Sequence, residues 1–347
     1  MRVLLAMSGG VDSCVSAHLL KEAGHEVVGI TLVFHPDVET ARCNLKICCS
    51  RQDTRDAEEV CGKLGIPHHT LDLSKEFDRT IVQPFIDSYR LGKTPNPCGR
   101  CNRFLKIGRL AELLKEYGCE KLATGHYCRV VEGELYRGKD AAKDQSYFLS
   151  MVRSEHIQRM LFPLGEMAKP EVRNIANRLN LVVADKRESQ ELCFTGGKSP
   201  NAFVSGKISE KPGFIKHVSG HIFKLHHGMS AFTIGQRKGL GIAWHEPLYV
   251  LELDARSRTV IVGERHFLEK RTVLVRNFNR LSKLSGEISA CIRYNQEPKP
   301  VETVSTVNDT TLLVRFRNPV AAVAPGQILA AYAEDRVIGG GIIAEAM

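Results

Sequence analysis

The first third of the chain alternates short apolar runs with amphipathic stretches. Val3 to Met7, Val27 to Phe34, His68 to Leu73 and Lys121 to Thr124 read as strands. Between them Ser16, Ala17, Leu19 and Leu20 fall at helical spacing until Gly24 stops them, and Asp53 to Leu64 and Leu105 to Tyr117 read as helices. Met167 to Asn180 adds a helix with Pro170 in its first turn and Val172, Ile175, Ala176 and Leu179 on one face. Alternation of this kind implies an α/β fold, a mostly parallel sheet covered by helices that binds ligands at the carboxyl ends of its strands. After about residue 205 the pattern changes to short β segments with turn residues between them, as in YVLELDARSRTVIVG and TTLLVRFRNPVAAVAPGQ, which suits small barrels. The expected organisation is a catalytic α/β domain over residues 1–204, a small central β domain over 205–269 and a β-barrel over 270–347.

The first strand runs into a glycine-rich turn, AMSGGVDS, and then directly into a helix. A helix start offers free backbone N–H groups and the positive end of the helix dipole, and Gly9 and Gly10 let the backbone approach a phosphate without Cβ interference. Ser8 and Ser13 add hydroxyls. The turn lacks the lysine of the GxxxxGK[ST] loop and the spacing of GxGxxG sites, so kinase-type γ-phosphoryl transfer is disfavoured. SGGVDS resembles the PP-loop of the ATP pyrophosphatase superfamily, whose members cleave ATP between the α and β phosphates. That resemblance implies that a substrate oxygen is adenylated, with magnesium-bound ATP as the nucleotide, and that pyrophosphate departs.

At 347 residues the chain is long enough for two or three domains with proper cores. No apolar run approaches the length of a membrane span, and the opening strand leads straight into the glycine turn, which leaves no room for a signal peptide. No membrane association is expected. The 11 cysteines are scattered without a dense disulfide spacing, which suits a reducing cytoplasm where thiols serve chemistry or metals. The net charge of +9 is uneven, with 19 Lys and Arg against 13 Asp and Glu in residues 205–347, as fits a polyanionic partner.

Two cysteine settings stand out. TPNPCGRCN, residues 94–102, puts Cys98 and Cys101 just ahead of the predicted Leu105 helix, where a helix N-terminus favours the thiolate. ESQELCF, residues 188–194, sets Cys193 in a polar loop before Gly196 and Gly197, where a mobile nucleophile can swing into a cleft. Cys43, Cys48 and Cys49 share one loop, but their spacing fits no standard zinc site. Cys14, Cys61, Cys119, Cys128 and Cys291 read as packed small residues. ATGHY, residues 123–127, lies at a strand end, where Gly125 allows close backbone approach and can face an adenosine. Arg237 and Lys238 in GQRKGLGI read either as a phosphate contact or as a solvated hairpin.

SGGVDS, TPNPxxxCN, ATGHY, KDQSYFL, CF after a polar loop, GQRKGLGI and VAAVAPGQ occur in the order seen in the tRNA-specific 2-thiouridylases, and the similarity covers essentially the whole chain. That resemblance implies roles for individual residues. Cys101 matches the family's catalytic nucleophile and Cys193 its persulfide carrier, with a transient disulfide between them. Ala6, Met7, Ser8, Gly9, Gly10, Val11, Asp12, Ser13, Leu32 and Gly125 match ATP-contacting positions of the family. Asn96, Pro97 and Cys98 match positions near the target base, and His126, Lys143, Asp144, Gln145, Arg293, Tyr294 and Gln327 match tRNA contacts. The implied reaction adenylates the C2 oxygen of wobble uridine 34 and then transfers sulfur, releasing AMP and pyrophosphate. The implied partners are tRNA and a persulfide sulfur donor, either a cysteine desulfurase or a sulfur relay protein.

The chemistry has its own logic. An amide-like C2 oxygen is a poor leaving group, adenylation makes it a good one, and sulfur must then arrive as a nucleophile, which a persulfide on Cys193 supplies. Cys98 departs from the family pattern, which has an aspartate there, so a general acid or base role does not carry over to it. Two routes therefore stay open: persulfide transfer alone, or a [4Fe–4S] cluster held by Cys98, Cys101 and Cys193 with one open iron for sulfide. The alternative functions are a PP-loop ligase of the amide-forming or argininosuccinate type, which needs no cysteine pair, and a non-catalytic RNA-binding protein. The complete PP-loop together with Cys101 and Cys193 argues against both.

Overall fold

The computed structural model describes residues 1–35, 51–186 and 192–347, and every structural statement concerns these residues. Cys43, Cys48 and Cys49 lie outside them. Five parallel strands, β1 (Arg2–Ala6), β2 (Glu26–Val33), β3 (His68–Asp72), β4 (Lys121–Ala123) and β7 (Met160–Leu161), form a sheet in the order β3-β2-β1-β4-β7. Val3, Leu4 and Leu5 are fully buried because helices cover both faces, which is why the strand reads as a continuous apolar run rather than an alternating one. The strand order reverses between β1 and β4. A crevice opens at the carboxyl edge of such a switch point, and SGGVDS after β1 and ATGHY after β4 border it.

Helix α1 (Val11–Glu22) follows the glycine turn and α2 (Arg51–Leu64) precedes β3. Helix α3 spans residues 74–90 and α4 residues 97–113, each with a widened π-helical stretch, at Asp78–Val82 and Asn102–Arg109. Helix α5 (Lys169–Arg178) comes after β7. The α4 helix starts eight residues before the expected Leu105, so Cys98 and Cys101 lie inside its first turns rather than ahead of it. The cause is local: Pro97 occupies the first helical position, and the Asn96 side chain accepts the Gly99 N–H at 3.0 Å as a cap.

The second half is β throughout its sheets. β8 (Gly213–His217), β9 (Ile222–His226), β10 (Tyr249–Asp254) and β11 (Thr259–Gly263) form a four-stranded sheet. β12 (Glu269–Arg280), β13 (Ser289–Cys291), β14 (Lys299–Asn308), β15 (Thr311–Ala321), β16 (Ile328–Ala333) and β17 (Arg336–Ala346) close into an antiparallel barrel through the β12–β17 pairing. A hairpin from the N-terminal half, β5 (Cys128–Val131) and β6 (Glu134–Arg137), joins the barrel sheet where Tyr136 pairs with Arg336.

The barrel also grips the cysteine segment. Thr94 N–H donates to Pro325 O at 2.9 Å, and the Gln327 amide donates back to Thr94 O at 2.9 Å. Behind them Gly99 packs flat on the fully buried Ile328, and a Cβ at Gly99 would stand 2.3 Å from Ile328 Cδ1. This contact is testable by a double-mutant cycle. Gly99→Ala should destabilise by about 1–3 kcal/mol through overpacking, and Ile328→Val, which removes that Cδ1, by about 0.5–1.5 kcal/mol on its own. The double variant should be more stable than their sum in urea melts; strict additivity would contradict the contact.

Candidate active site

The turn after β1 is closed by its own serines. Ser8 N–H donates to Ser13 Oγ at 3.1 Å, and Ser13 Oγ donates to Gly10 O at 3.0 Å. Gly9 has φ +65°, and a Cβ there would lie 2.0 Å from Asp53 O, so the first turn of α2 presses directly on the turn. Helix α1 begins at Gly10 with no side-chain cap, which leaves its first N–H groups for an external acceptor. Gly125 spends its missing Cβ on this helix: a Cβ there would stand 2.8 Å from Ser13 N.

Two lysines that the sequence pattern does not single out complete the turn. Lys169 Nζ donates to both oxygens of Asp12 at 2.7 Å, and Tyr127 donates its hydroxyl to Asp12 at 2.8 Å. The lysine side chain is 8% exposed and the aspartate 31%, so the ammonium sits beneath a carboxylate that reaches the rim. Lys186 Nζ donates to Gly9 O at 2.7 Å and Asp53 at 2.6 Å, and also to Asp56. Burial opposes its charge, but the two carboxylates outweigh that and raise its pKa above the usual lysine value. The uncapped helix start, with its free N–H groups, fits a triphosphate, and Asp12 at the rim fits the magnesium that travels with it. The one cue for Lys169 is its place before Pro170 at a helix start, a position that ordinarily faces solvent.

Beside this turn, His126 bonds Thr124 Oγ1 through Nδ1 at 2.8 Å. Burial and the charge of Lys106 push its pKa down to about 3, so the ring is neutral at physiological pH and acts as a hydrogen-bonding group.

Cys98 and Cys193 are half-buried, whereas every other described cysteine is buried. Burial drives Cys14, Cys61 and Cys291 up to about 12 and raises Cys128 well above the usual thiol value, which silences them as nucleophiles, as expected for packed thiols. Cys193 rides a tight turn in which Thr195 Oγ1 donates to Leu192 O at 3.0 Å. Phe194 anchors that turn against Phe77 and Phe85, and Phe77 stacks on Phe34 at the end of β2. Leu32, Phe34 and Cys101 belong to one hydrophobic cluster, and Cys193 packs against it. The end of β2 is thus linked to the Cys193 turn through Phe77 of α3, and the helix that carries Cys101 is tied to the same α3 by Arg100 Nε donating to Thr80 O. Among the described residues no three His, Cys, Asp or Glu side chains gather as metal ligands, so Cys98, Cys101 and Cys193 do not form a cluster cage here.

The residues matched to RNA contacts divide into two groups. Several make internal bonds: Gln327 to Thr94 and Pro95, Gln145 to Tyr127 N–H, and Arg293 to Ile234 O and Ala322 O at 2.9 and 2.8 Å. Asp144 accepts from Arg137, Gly138 and Ser146. Asp144, Arg293 and Tyr294 nevertheless line one cavity of about 300 Å³ with Arg137, Tyr147 and Tyr332. Tyr147, not singled out from the sequence, ties this cavity to the cysteine loop, because its hydroxyl donates to Ile328 O at 2.9 Å and also meets the Asn96 side chain. Tyr294 packs on Phe148 at 4.3 Å between centroids. Arg237 and Lys238 are both exposed.

Family models match along the chain: a tRNA methyl transferase HUP domain over residues 1–197, a tRNA methyl transferase PRC-barrel domain over 201–264 and an aminomethyltransferase beta-barrel domain over 264–343. Among similar proteins, the tRNA-specific 2-thiouridylase MnmA of Aquifex aeolicus is 45% identical over all of both chains. Its counterpart from Hydrogenobaculum is 41% identical over 99% of this chain and all of its own, and one from Caldanaerobacter subterraneus is 44% identical over 99% of this chain and 97% of its own. The similarity therefore runs from end to end, and the chain belongs to the tRNA-specific 2-thiouridylase family.

Proposed function

We propose that this protein converts the wobble uridine of tRNA to 2-thiouridine, with ATP as activator and a persulfide as sulfur source. The observation that supports this reading best is that α3 links the end of β2, the helix of Cys101 and the Cys193 turn, through Phe77 and the Arg100 bond to Thr80 O. A ligase acting on a small acid has no need of two thiols there.

The free N–H groups at the start of α1 hold the phosphates of ATP, Lys186 pins the Gly9 carbonyl of the turn to α2, and Asp12, oriented by Lys169 and Tyr127, would hold magnesium. Magnesium supplies charge neutralisation to the phosphates when bound. The C2 oxygen of the uridine attacks the α-phosphorus, the α–β phosphoanhydride bond breaks, and pyrophosphate leaves. The terminal sulfur of a Cys193 persulfide attacks C2 and AMP departs. The Cys101 thiolate then attacks the Cys193 sulfur, the sulfur–sulfur bond to the base breaks, 2-thiouridine is released and a Cys101–Cys193 disulfide remains. An external thiol must reduce that disulfide before the next turnover. A persulfide route needs no cluster, and a half-buried, turn-borne Cys193 can be charged by a cysteine desulfurase or a sulfur relay protein in a reducing cytoplasm. No helix among the described residues is long and apolar enough to cross a membrane.

The direct test supplies purified protein with tRNA, ATP, magnesium and a persulfide donor. One AMP and one pyrophosphate should accompany each 2-thiouridine found by nucleoside mass spectrometry; nucleotide cleavage with no thiolated nucleoside would overturn the reading. Asp12→Ala should abolish pyrophosphate release and keep tRNA affinity within about twofold, because surface contacts away from the turn hold the RNA. Undiminished release would remove Asp12 from the site. Without added reductant, turnover should stop near one 2-thiouridine per protein, with a Cys101–Cys193 linked peptide on mass spectrometry. Rigorously iron-free protein should still complete that turnover; restoration only by iron and sulfide would favour the cluster route.

A further inference from the structure

One turn beyond Cys101, helix α4 carries a charged and aromatic patch that neither the nucleotide site nor the thiol chemistry uses. Phe104 is 40% exposed, and the guanidinium groups of Arg100 and Arg103 stand 5.0 and 5.4 Å from its ring centroid. Both arginines are fixed by backbone carbonyls, Arg100 Nε donating to Thr80 O at 2.6 Å and Arg103 Nη1 to Met151 O at 3.2 Å. Among the described residues neither meets a carboxylate. Arg103 Nε is buried without a hydrogen-bond partner. Arg153, on the turn that follows the KDQSYFL segment, adds a third charge, and it meets the exposed Glu155 at 3.6 Å in a weak surface pair. Burial and the nearby Arg153 and Arg100 charges lower the Arg103 pKa, so the group sits among like charges that an anion would relieve.

We infer that Arg100, Arg103, Phe104 and Arg153 form a binding site for the sugar-phosphate backbone and one unstacked base of the single-stranded RNA next to the target nucleotide. The inference rests on the reading of this protein as a tRNA enzyme and adds the place where the flanking strand is gripped. Three features point to single-stranded RNA. Guanidinium groups anchored through one edge leave their other N–H groups for phosphate oxygens. Phe104 keeps 40% of its surface exposed beside the two guanidinium groups that stand over its ring, and both aromatic rings and guanidinium planes stack on bases without regard to sequence. The patch lies on the helix that carries Cys98 and Cys101, within two turns of those thiols. An acidic sulfur-donor protein is the competing occupant, and the aromatic platform favours RNA.

The test measures tRNA affinity as a function of salt for wild type, Arg100→Gln/Arg103→Gln, Arg100→Lys/Arg103→Lys and Phe104→Leu, with melting temperature and ATP binding checked for each. The slope of log affinity against log salt should fall by about 0.7 for each guanidinium removed, the value for single strands. The double lysine variant should restore that slope. Phe104→Leu should weaken binding on the order of tenfold with the slope unchanged. If wild type binds tRNA and the double glutamine variant matches it in slope and affinity, the site is wrong and the tRNA reading stands. If wild type itself shows no salt-dependent tRNA binding, both fail. If tRNA binding is unchanged but thiolation falls with a protein persulfide donor and not with a small-molecule persulfide donor, the patch belongs to the donor and the RNA assignment is overturned.

Discussion

The nucleotide end of the molecule depends on one charge pair, the buried Lys169 with the half-buried Asp12. An aspartate in the first turn of a helix is favoured by the dipole, yet the same dipole must attract a triphosphate that the aspartate repels. Lys169 resolves the conflict by bonding both carboxylate oxygens from below, while Tyr127 fixes their orientation from the side. Three segments far apart in sequence, residues 8–13, 124–127 and the start of α5, must therefore fold against one another before the turn has its charge balance. Lys186 repeats the arrangement on the opposite flank, drawing Asp53 and Asp56 of α2 onto the Gly9 carbonyl.

The barrel shapes the surroundings of the Cys98 and Cys101 segment. It holds the cysteine loop through Thr94, Gln327 and Ile328, and it receives the β5–β6 hairpin that continues from ATGHY. Gln327 and Arg293, matched by resemblance to RNA contacts, are hydrogen-bonded within the protein, so substituting them disturbs the seating of the cysteine loop or the contact between the two β units. A loss of RNA binding on their removal has two sources, direct contact and altered seating.

How far the sequence can be read depends on the range of the interactions. Strands such as Val27 to Phe34 are legible as unbroken apolar runs because both faces are buried, and the helix at Asp53 to Leu64 because burial of one face imposes a helical period. The barrel is legible as alternation with turn residues, although its closure through β12 and β17 is not, since no local pattern encodes which strands meet. The start of α4 is easily misplaced because Pro97 looks like a breaker until Asn96 is recognised as the cap of a helix beginning there. Lys169, Lys186 and Tyr147 escape for a related reason: each acts through partners more than 100 residues away, and a lone lysine or tyrosine in sequence does not announce its partner.

A buried ammonium group therefore sets the charge of the glycine turn, the part of the molecule that holds ATP in the proposed reaction. Single-turnover pyrophosphate release by Lys169→Met, measured with ATP and tRNA both saturating, tests this role most directly. The expected result is a fall on the order of a hundredfold, the scale for losing one charged group from a preorganised site, with both substrates still bound. Release at the wild-type rate would contradict it.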